Sequence, residues 1–306
     1  MNKQSILATI CLLLLLTNGA TASPRPWKEV RSWAYQLQHP KPHQIAASPY
    51  DLVVIDYSRD GCNDGRFTRQ EVEQMKKKGG KRRLVVAYMS IGEAEPYRFY
   101  WKKGWKPGHP QWLLKPNPRW PDNYRVKYWD PEWQSIIYGN ENSYLDQIIE
   151  AGFDGVYLDI VDGYEKFVAK RPRAKKEMKM FIRDLAAYAR IVKGDKDFGL
   201  FPQNAPELLT DKKYLDLLTG IGKEEVYYFD TDDETGEEDR QWDEELLDKV
   251  VKAGKLVLTV DYCHEREHIV DTIKRARKKG YIPYCTDVEL DRLTKHDEKA
   301  LLKTGD

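Results

Sequence analysis

Residues 151–165 read AGFDGVYLDIVDGYE. An apolar run that starts at Gly155 ends abruptly on a carboxylate, Asp159, and a second carboxylate follows at Asp162. A continuous apolar run without alternation is typical of a parallel strand that is covered on both faces. The stretch therefore predicts a buried strand that delivers a carboxylate where the chain surfaces.

The side chains of this strand divide between its two faces. Alternation places Tyr157 and Asp159 on one face, and Val156 and Leu158 on the other. If the aliphatic pair packs against helices, Tyr157 and Asp159 face a cleft at the mouth of a barrel.

Seven other short segments have the same character and also predict strands. They are WAYQL from Trp33, DLVVIDY from Asp51, RLVVAYMSIG from Arg83, DFGLFPQN from Asp197, GIGKEE from Gly220 or the overlapping EVYYF, LVLTVDY from Leu256 and YIPYCTD from Tyr281. Charged segments with helical spacing lie between them, at residues 69–78, 174–192, 243–253 and 265–279. Strand and helix alternating eight times predict an α/β fold, a (β/α)8 TIM barrel. A doubly wound sheet is the alternative, but no glycine-rich phosphate loop accompanies it.

No linker divides the chain, so residues 23–306 are predicted to form a single domain. Residues 93–140, which follow the third strand, are rich in Trp, Pro and Tyr. We expect them to form a long irregular loop on the C-terminal face, since loops of this length are usually functional or disordered.

The first 22 residues predict an export signal. Lys3 supplies the positive start, residues 6–16 are apolar, and residues 20–22 form a small-x-small cleavage site. A span of a bilayer takes ~20 residues, so the run is too short to cross one. We expect a secreted or periplasmic protein without stable membrane insertion, and a retained N-terminal anchor is the alternative.

Overall charge argues against a nucleic-acid partner. Fifty Lys and Arg oppose 49 Asp and Glu, whereas nucleic-acid binders usually carry a strong basic excess. Outside the signal the chain has three cysteines, Cys62, Cys263 and Cys285, so at most one internal disulfide is possible. Whether Cys263 pairs with Cys285 is left open by the sequence.

Polar residues gather where the predicted strands end. In a barrel, the C-terminal ends of the strands carry the catalytic groups. Any single strand-end acid is as readily a helix N-cap or an ion-pair partner, and Asp162 and Asp287 suit the cap role. The number of polar groups on one rim nevertheless predicts a carboxylate-lined pocket. Its members are Asp56, Glu93, Glu95, Asp159, Gln203, Asn204, Glu224, Glu225, Asp230, Asp261 and Asp287.

Carboxylates and aromatic rings, without a nucleophilic Ser or Cys motif, suit glycoside hydrolysis. One carboxyl group protonates the departing oxygen while the other attacks the sugar or activates water. A barrel that binds a polysaccharide without cleaving it remains an alternative, because Tyr and Trp rings also hold sugar faces.

The segment HEREH, residues 264–268, offers a third interpretation. It matches the H-E-x-x-H pattern, in which two His on one helical face bind Zn²⁺ and the Glu acts as a base. His268 falls on the charged side of its predicted helix, and no third ligand is evident beyond His296. A solvated first helical turn is the favoured interpretation, and neither a metal nor another cofactor is expected.

Several segments together resemble a known family. The motifs WAYQLQ, YDLVVIDYSRDG, VVAYMSIGEAEPYRFYW, GFDGVYLDIVDGYE, PQNAPELL and GIGKEEVYY occur in order across nearly all of the chain after the signal. They resemble the glycoside hydrolase family 114 domain, in particular an exported branch similar to endo-α-1,4-polygalactosaminidases.

The resemblance implies a (β/α)8 fold and two catalytic carboxylates, on the fourth and sixth strands. The nucleophile falls on Asp159 and the general acid/base on Glu224, although Glu225 is adjacent and Lys223 stands where relatives usually carry an aliphatic residue. It also implies an amino-sugar-containing polysaccharide as substrate. Together with the cleft-facing Tyr157, the positions expected to line the sugar site are Asp56, Tyr88, Glu93, Asn204, Asp261 and Tyr262.

Strands four and six are two steps apart, roughly 9–10 Å along a sheet. Inward-leaning side chains shorten that distance, so a retaining pair at about 5–5.5 Å is expected, whereas inversion needs roughly 6.5–9.5 Å.

Overall fold

A computed structural model describes residues 24–230 and 232–303 of the chain. The predicted export signal, residues 1–22, lies outside the described residues. No helix within the described residues is long and apolar enough to cross a membrane.

Eight parallel strands form the centre of the α/β fold. They are β1 (Trp33–Gln36), β2 (Leu52–Asp56), β3 (Leu84–Ser90), β4 (Gly155–Asp159), β5 (Gly199–Pro202), β6 (Gly220–Glu224), β7 (Leu256–Tyr262) and β8 (Ile282–Thr286). All eight predicted strands are thus confirmed. For the sixth, GIGKE is the strand, and the overlapping alternative contributes Tyr228–Phe229 to a small hairpin with Asp233–Glu234.

The strands pair in chain order, in a sheet β1–β2–β3–β4–β5 and a sheet β6–β7–β8. A parallel bridge between Gln203 and Gly222 joins β5 to β6. At the other seam, the Trp33 indole of β1 donates to the carbonyl of Ile282 on β8 at 2.8 Å. The arrangement is that of a TIM-barrel-like fold.

Helices follow most strands, as predicted. They are α1 (Pro42–Ala47), α2 (Arg69–Met75), α3 (Pro131–Ile137), α4 (Tyr144–Ala151), α5 (Ala174–Ala187), α6 (Lys212–Leu217), α7 (Glu237–Lys252), α8 (Arg266–Lys279) and α9 (Glu298–Lys303). Short 3-10 turns lie at Trp27–Glu29, Val161–Lys166 and Pro206–Thr210, and α5 continues as a π turn, Tyr188–Val192.

Local sequence explains several helix ends. Thr68 and Glu71 form a reciprocal capping box at the start of α2. Gly152 and Gly280 end α4 and α8 in the left-handed conformation, with φ of 87° and 79°, which favours glycine.

The segment after β3 differs from the expected irregular loop. It contains a three-stranded antiparallel sheet, Glu93–Ala94, Tyr124–Val126 and Leu113–Pro116, followed by α3. Its Trp residues pack on one another: the ring centroids of Trp112 and Trp133 are 5.0 Å apart, and both rings are buried. The aromatic residues therefore build a satellite core, in which the packed indole rings bury apolar surface that an irregular loop would leave exposed to water.

Aromatic side chains also fill the barrel below its mouth. Tyr157 lies 5.1 Å from Tyr35 and 6.1 Å from Trp33, measured between ring centroids. A Cβ at Gly222 would stand 2.0 Å from the Tyr157 hydroxyl oxygen. Glycine is therefore required on β6, because the phenol of β4 occupies the space of its side chain.

Candidate active site

Strand register decides which side chains face the lumen. Tyr88 pairs with Tyr157, and Ser90 pairs with Asp159 at the ends of β3 and β4. Residues paired in a parallel sheet project to the same face, so Asp159 shares the lumen face with the aromatic residues below it. The predicted inward face of β4 is confirmed.

Asp159 is half-buried and both of its oxygens accept hydrogen bonds. The Tyr88 hydroxyl donates to Oδ2 at 2.6 Å, and the backbone N–H of Ile160 donates to Oδ1 at 2.7 Å. Burial raises the pKa of Asp159 to about 8; the charge of Glu224 also raises it, and the hydrogen bond from Tyr88 lowers it. The carboxyl group is therefore fixed in place and electrostatically coupled to Glu224.

Glu224 is held by three side chains on the lumen side of β6. Oε2 accepts hydrogen bonds from Gln203 and from the Asn204 amide, the latter at 2.9 Å, and Oε1 accepts one from the Tyr262 hydroxyl. The Asn204 carbonyl oxygen in turn accepts from the backbone N–H of Glu224 at 3.2 Å. Donors that directly follow β5 and one donor on β7 thus orient this carboxylate from both sides.

The neighbours of Glu224 face elsewhere. Lys223 points to the outer face, where its ammonium group lies 2.9 Å from Asp243 of α7. Glu225 is exposed and has a left-handed backbone, with φ of 59°. Alternation therefore explains how a lysine is accommodated beside an inward-facing Glu224.

The chain turns sharply behind each of these groups. Ile160, Asn204 and Glu225 follow the ends of β4, β5 and β6, and have φ of 55°, 60° and 59°. Positive φ is strained for residues other than glycine, and for a β-branched isoleucine most of all. Such strain persists where the surrounding structure fixes it, as at functional sites.

Asp56, at the end of β2, lies in a buried ionic cluster. Arg98 donates to Asp56 at 2.6 Å and to Glu95. Burial raises the pKa of Asp56, and the charge of Arg98 opposes that rise. Because Arg98 comes from the segment after β3, the cluster fixes that segment against the barrel mouth.

Of the other residues predicted to line the sugar site, some hydrogen-bond to the two carboxylates and others are buried away from them. Tyr88, Asn204 and Tyr262 bond directly to the two carboxylates. Tyr157 is fully buried beneath them, and its hydroxyl has no partner among the described residues. Glu93 is also buried, and its Oε1 accepts from Asn117 at 2.9 Å.

Asp261 faces away from the site. Tyr262 reaches Glu224 in the lumen, so its neighbour Asp261 projects towards the helices. There it is fully buried, and its Oδ1 accepts the backbone N–H groups of Tyr227 at 2.7 Å and Tyr228 at 3.2 Å. The expectation that Asp261 lines the sugar site does not fit this geometry; its carboxyl group fastens the loop after β6.

Two further side chains complete the site: Gln203 was expected on the rim, whereas the sequence analysis did not single out Arg98. Gln203 links Glu224 to the Tyr35 hydroxyl at 3.1 Å, and Arg98 neutralises Asp56. A lone arginine in the aromatic run YRFYW, following Glu93 and Glu95, was the available signal for Arg98.

The HEREH segment does not have the zinc-peptidase geometry. Its helix begins at Arg266, so His264 lies outside it, and the two His rings do not share one helical face. His268 stacks on Tyr228 with centroids 4.5 Å apart, and its Nδ1 lies 3.1 Å from Asp232. Among residues 24–230 and 232–303, no group of three His, Cys, Asp or Glu side chains is arranged to hold a metal ion.

Cys263 and Cys285 are buried free thiols in this structure. Cys263 lies on the outer face of β7 with Asp261, and its sulfur is 3.9 Å from Thr272 of α8.

A TIM-barrel-like fold with two coupled, firmly held carboxylates at the strand ends is the arrangement of a glycoside hydrolase. Residues 16–301 match glycoside-hydrolase family GH114, and the chain belongs to this family. The resemblance seen in the sequence motifs is thus confirmed.

The chain is 42% identical to an uncharacterized protein of Methanocaldococcus jannaschii over 276 residues, which cover 85% of this chain and 77% of that one. An uncharacterized protein of Thermotoga maritima is 36% identical over 277 residues, covering 86% and 83%. The fold is similar to the glycoside hydrolase domain of PelA from Pseudomonas aeruginosa, with a TM-score of 0.65, 17% identity, and coverage of 86% and 97%.

Proposed function

We propose that this glycoside hydrolase is an exported, retaining endo-enzyme that cleaves an amino-sugar-containing polysaccharide, in the manner of endo-α-1,4-polygalactosaminidases. Asp159 is the nucleophile and Glu224 is the general acid/base. The observation that carries the proposal is the pair itself: two lumen-facing carboxyl groups, each held by at least two donors and coupled through their charges.

In the first step Glu224 gives its proton to the glycosidic oxygen while Asp159 attacks the anomeric carbon, which forms a glycosyl-enzyme ester. In the second step Glu224 takes a proton from water, and the water displaces Asp159. Both oxygens of Asp159 are held by Tyr88 and Ile160, so the nucleophile need not be oriented during the reaction.

The mechanism needs one proton on the pair. Burial and the charge of Glu224 raise the pKa of Asp159 to about 8, so the two carboxyl groups together retain one proton at neutral pH. Coupled carboxyl groups titrate as a unit, and the reactive arrangement is the one with that proton on Glu224. The surroundings therefore supply an acid and a base at the same pH.

The charge of the mouth supports a cationic sugar. Asp162 is half-buried beside the pair, and the charges of Glu165 and Glu224 raise its pKa further than burial alone. Glu225 lies at the same rim and is exposed. A concentration of carboxylates favours substrates with ammonium groups, as in a polymer of free galactosamine. We propose that Tyr157, Glu93 and Asp261 support this pocket from below and outside without touching the sugar.

Digestion of an α-1,4-linked galactosamine polymer by the chain from Ser23, followed by mass spectrometry, tests the substrate. We expect a ladder of oligosaccharides with the α-anomer retained in the first product. Binding without products would favour a non-catalytic barrel, products from neutral glycans alone would contradict the substrate, and an inverted anomer would contradict retention.

Rescue of activity by azide distinguishes the nucleophile from the general acid/base. With Asp159→Ala we expect azide to restore cleavage and give a β-glycosyl azide, because azide replaces the nucleophile on the opposite face. With Glu224→Ala the azide product should be α, because the Asp159 ester still forms. The reverse pattern of products would exchange the roles of the two residues.

A further inference from the structure

The end of the barrel opposite the mouth carries a surface of a different character, which we call the basal rim. It consists of segments that directly precede strands β1, β3, β5 and β7, and therefore lies at their N-terminal ends. Its lysines are Lys28, Lys77, Lys81, Lys196 and Lys255. Four of them are exposed and form no ion pair within the described part of the chain: Lys28, Lys77, Lys81 and Lys196.

Most carboxylates at this end are already neutralised. Asp51 pairs with Lys78, and the fully buried Asp154 pairs with Arg25 at 2.9 Å and with Arg82. Arg25 also pairs with Asp195 at 2.6 Å. Glu29 remains as an exposed acid on the rim. The unpaired surface charge is therefore mainly that of lysine.

A cavity of about 290 Å³ opens on the basal rim, lined by Lys28, Arg190, Lys196, Lys255 and a single acid, Asp197. Arg190 donates to the carbonyls of Phe198 and Leu217 at 2.7–2.9 Å. Burial lowers the pKa of Lys255, and the charge of Arg190 lowers it further. Because Arg190 and Lys255 already donate to backbone carbonyls, the cations left for an anion at this cavity are the exposed Lys28 and Lys196.

Beside this cavity the chain exposes an apolar tip. Ile191 and Val192 end the π turn that follows α5, and their exposed fractions are 78% and 69%. They follow Arg190 directly and precede the loop that carries Lys196. These two neighbouring aliphatic residues form a small exposed apolar patch within a basic surface.

The N-terminal segment reaches the fold at this same place. Arg25 bonds to Asp154 and Asp195, and Trp27 donates its indole N–H to the carbonyl of Asp197 at 3.1 Å. Upstream, the sequence of residues 6–16 is apolar. In the proposed export, the chain leaving the membrane joins the domain at its basal rim.

We infer that the basal rim docks on an anionic lipid surface, with headgroup phosphates at the lysine-lined cavity and Ile191 and Val192 in the interfacial layer. Lysines near an anionic membrane attract it electrostatically, and aliphatic side chains add apolar contact. In this orientation the catalytic mouth, at the opposite ends of the strands, faces away from the membrane. The inference concerns binding alone and does not depend on the substrate.

Two simpler explanations, cations at helix C-termini and a soluble polyanion as ligand, do not account for the whole basal rim. Cations favour helix C-termini, which explains Lys252 and Lys278 at the ends of α7 and α8. It does not explain Lys81, which lies in a short antiparallel hairpin of Lys77–Lys78 with Lys81–Arg82, or Lys196 in the loop before β5. A soluble polyanion would use the lysines but would gain nothing from Ile191 and Val192.

Co-sedimentation with lipid vesicles tests the inference, using the chain from Ser23, which contains every residue of the described fold. The vesicles are pure phosphatidylcholine or phosphatidylcholine with phosphatidylglycerol, at low and at physiological salt. The rim variant is Lys77→Glu/Lys81→Glu, and the tip variant is Ile191→Ser/Val192→Ser. The matched control is Lys102→Glu/Lys103→Glu, two exposed lysines of the segment after β3 without ion pairs among the described residues.

We expect binding to the anionic vesicles only, weaker at higher salt, reduced by about tenfold or more in the rim variant and severalfold in the tip variant. The control should bind like the unchanged chain, and all variants should keep its circular dichroism and glycan-cleaving activity. No vesicle binding, or equal losses in rim and control variants, would overturn the inference. Binding to heparin without binding to vesicles would overturn it in favour of a soluble polyanion.

Discussion

The mouth ends of β4 and β7 look alike in sequence and differ in the structure. GVYLD and LVLTVD are both apolar runs that reach an aspartate. Burial is the main cause that raises the pKa of both groups, to about 8 for Asp159 and to about 7 for Asp261. A search for strand-end acids with raised pKa values would therefore return both.

The hydrogen-bond partners of Asp159 and Asp261 distinguish the two groups. Asp159 faces the lumen, where it is coupled to Glu224 and held by Tyr88. Asp261 faces the helices and accepts backbone N–H groups from Tyr227 and Tyr228, which belong to the loop after the Glu224 strand. A raised pKa marks burial, and only the hydrogen-bond partners distinguish the proposed nucleophile from a carboxyl group that anchors a loop.

The largest expected difference between these two positions is in activity. Asp159→Asn should lower kcat by at least about a thousandfold, because an amide cannot form the glycosyl ester. Asp261→Asn should keep kcat within about threefold, since an amide oxygen can still accept the two N–H groups. Cleavage rates on the same polymer, with circular dichroism of both variants, make the comparison.

Equal loss in the two variants, with both correctly folded, would contradict this distinction. Loss in Asp261→Asn alone would show that the outer face of β7 takes part in catalysis.

Glu224, the last residue of β6, and Glu225, which follows it, allow the same comparison between adjacent residues. Glu224→Gln should lower kcat on the natural polymer by about 10²–10⁴-fold, the usual contribution of a general acid. Glu225→Gln should change it less than about threefold, because the side chain is exposed and lies beyond the turn. Substrates with an activated leaving group provide the check, since only the Glu224 variant should recover on them.

The sequence allowed much of the fold to be predicted, but only part of the site. Continuous apolar runs identified eight strands, and alternation correctly paired Tyr157 with Asp159. Alternation alone does not say which face looks inward, because that depends on how the strands assemble. On β4 the last residue of the run is inward; on β7, Asp261 is outward and Tyr262 is inward.

The segment after β3 shows a second limit. Its short strands lack a repeating pattern, and their stability comes from indole packing between residues distant in sequence, as between Trp112 and Trp133. The side chains that fix Asp56 and Glu224, Arg98 and Gln203, come from neighbouring strands or loops and meet only after folding. The sequence shows that these residues are present, but not which side chains they contact after folding.

A smaller and sharper difference is expected in stability as a function of pH. The folded-state pKa of Asp261, about 7, exceeds its ordinary value of 3.8, so the folded protein binds the proton more tightly than the unfolded chain. The contribution of this bound proton to the free energy of unfolding is fully present below about pH 4 and is lost as pH rises to about 7. Asp261→Asn should remove this loss. Between those pH values the free energy of unfolding of the variant should therefore rise by on the order of 2–4 kcal/mol relative to that of the unchanged protein.

Urea unfolding of both proteins across this pH range measures the effect. Thr259→Val, on the same outer face of β7 but without a titrating group, is a suitable control, because its offset in unfolding free energy should not vary with pH. A constant offset for Asp261→Asn would show that its carboxyl group is ionised in the folded state throughout.

The finest distinction between the two aspartates is in the pH dependence of catalysis. Because the pKa of Asp159 is raised to about 8, the carboxyl pair keeps one proton up to that pH, and kcat/KM should fall as pH rises further and the pair loses this proton. The Tyr88 hydroxyl lowers the pKa of Asp159 by donating to its ionised form, so Tyr88→Phe should move this alkaline limb upward. One hydrogen bond, worth about 1 kcal/mol, corresponds to a shift of roughly half to one pH unit. Asp261→Asn should leave the limb where it is, and a limb that moved with Asp261 rather than with Tyr88 would assign the titrating proton to the outer face of β7.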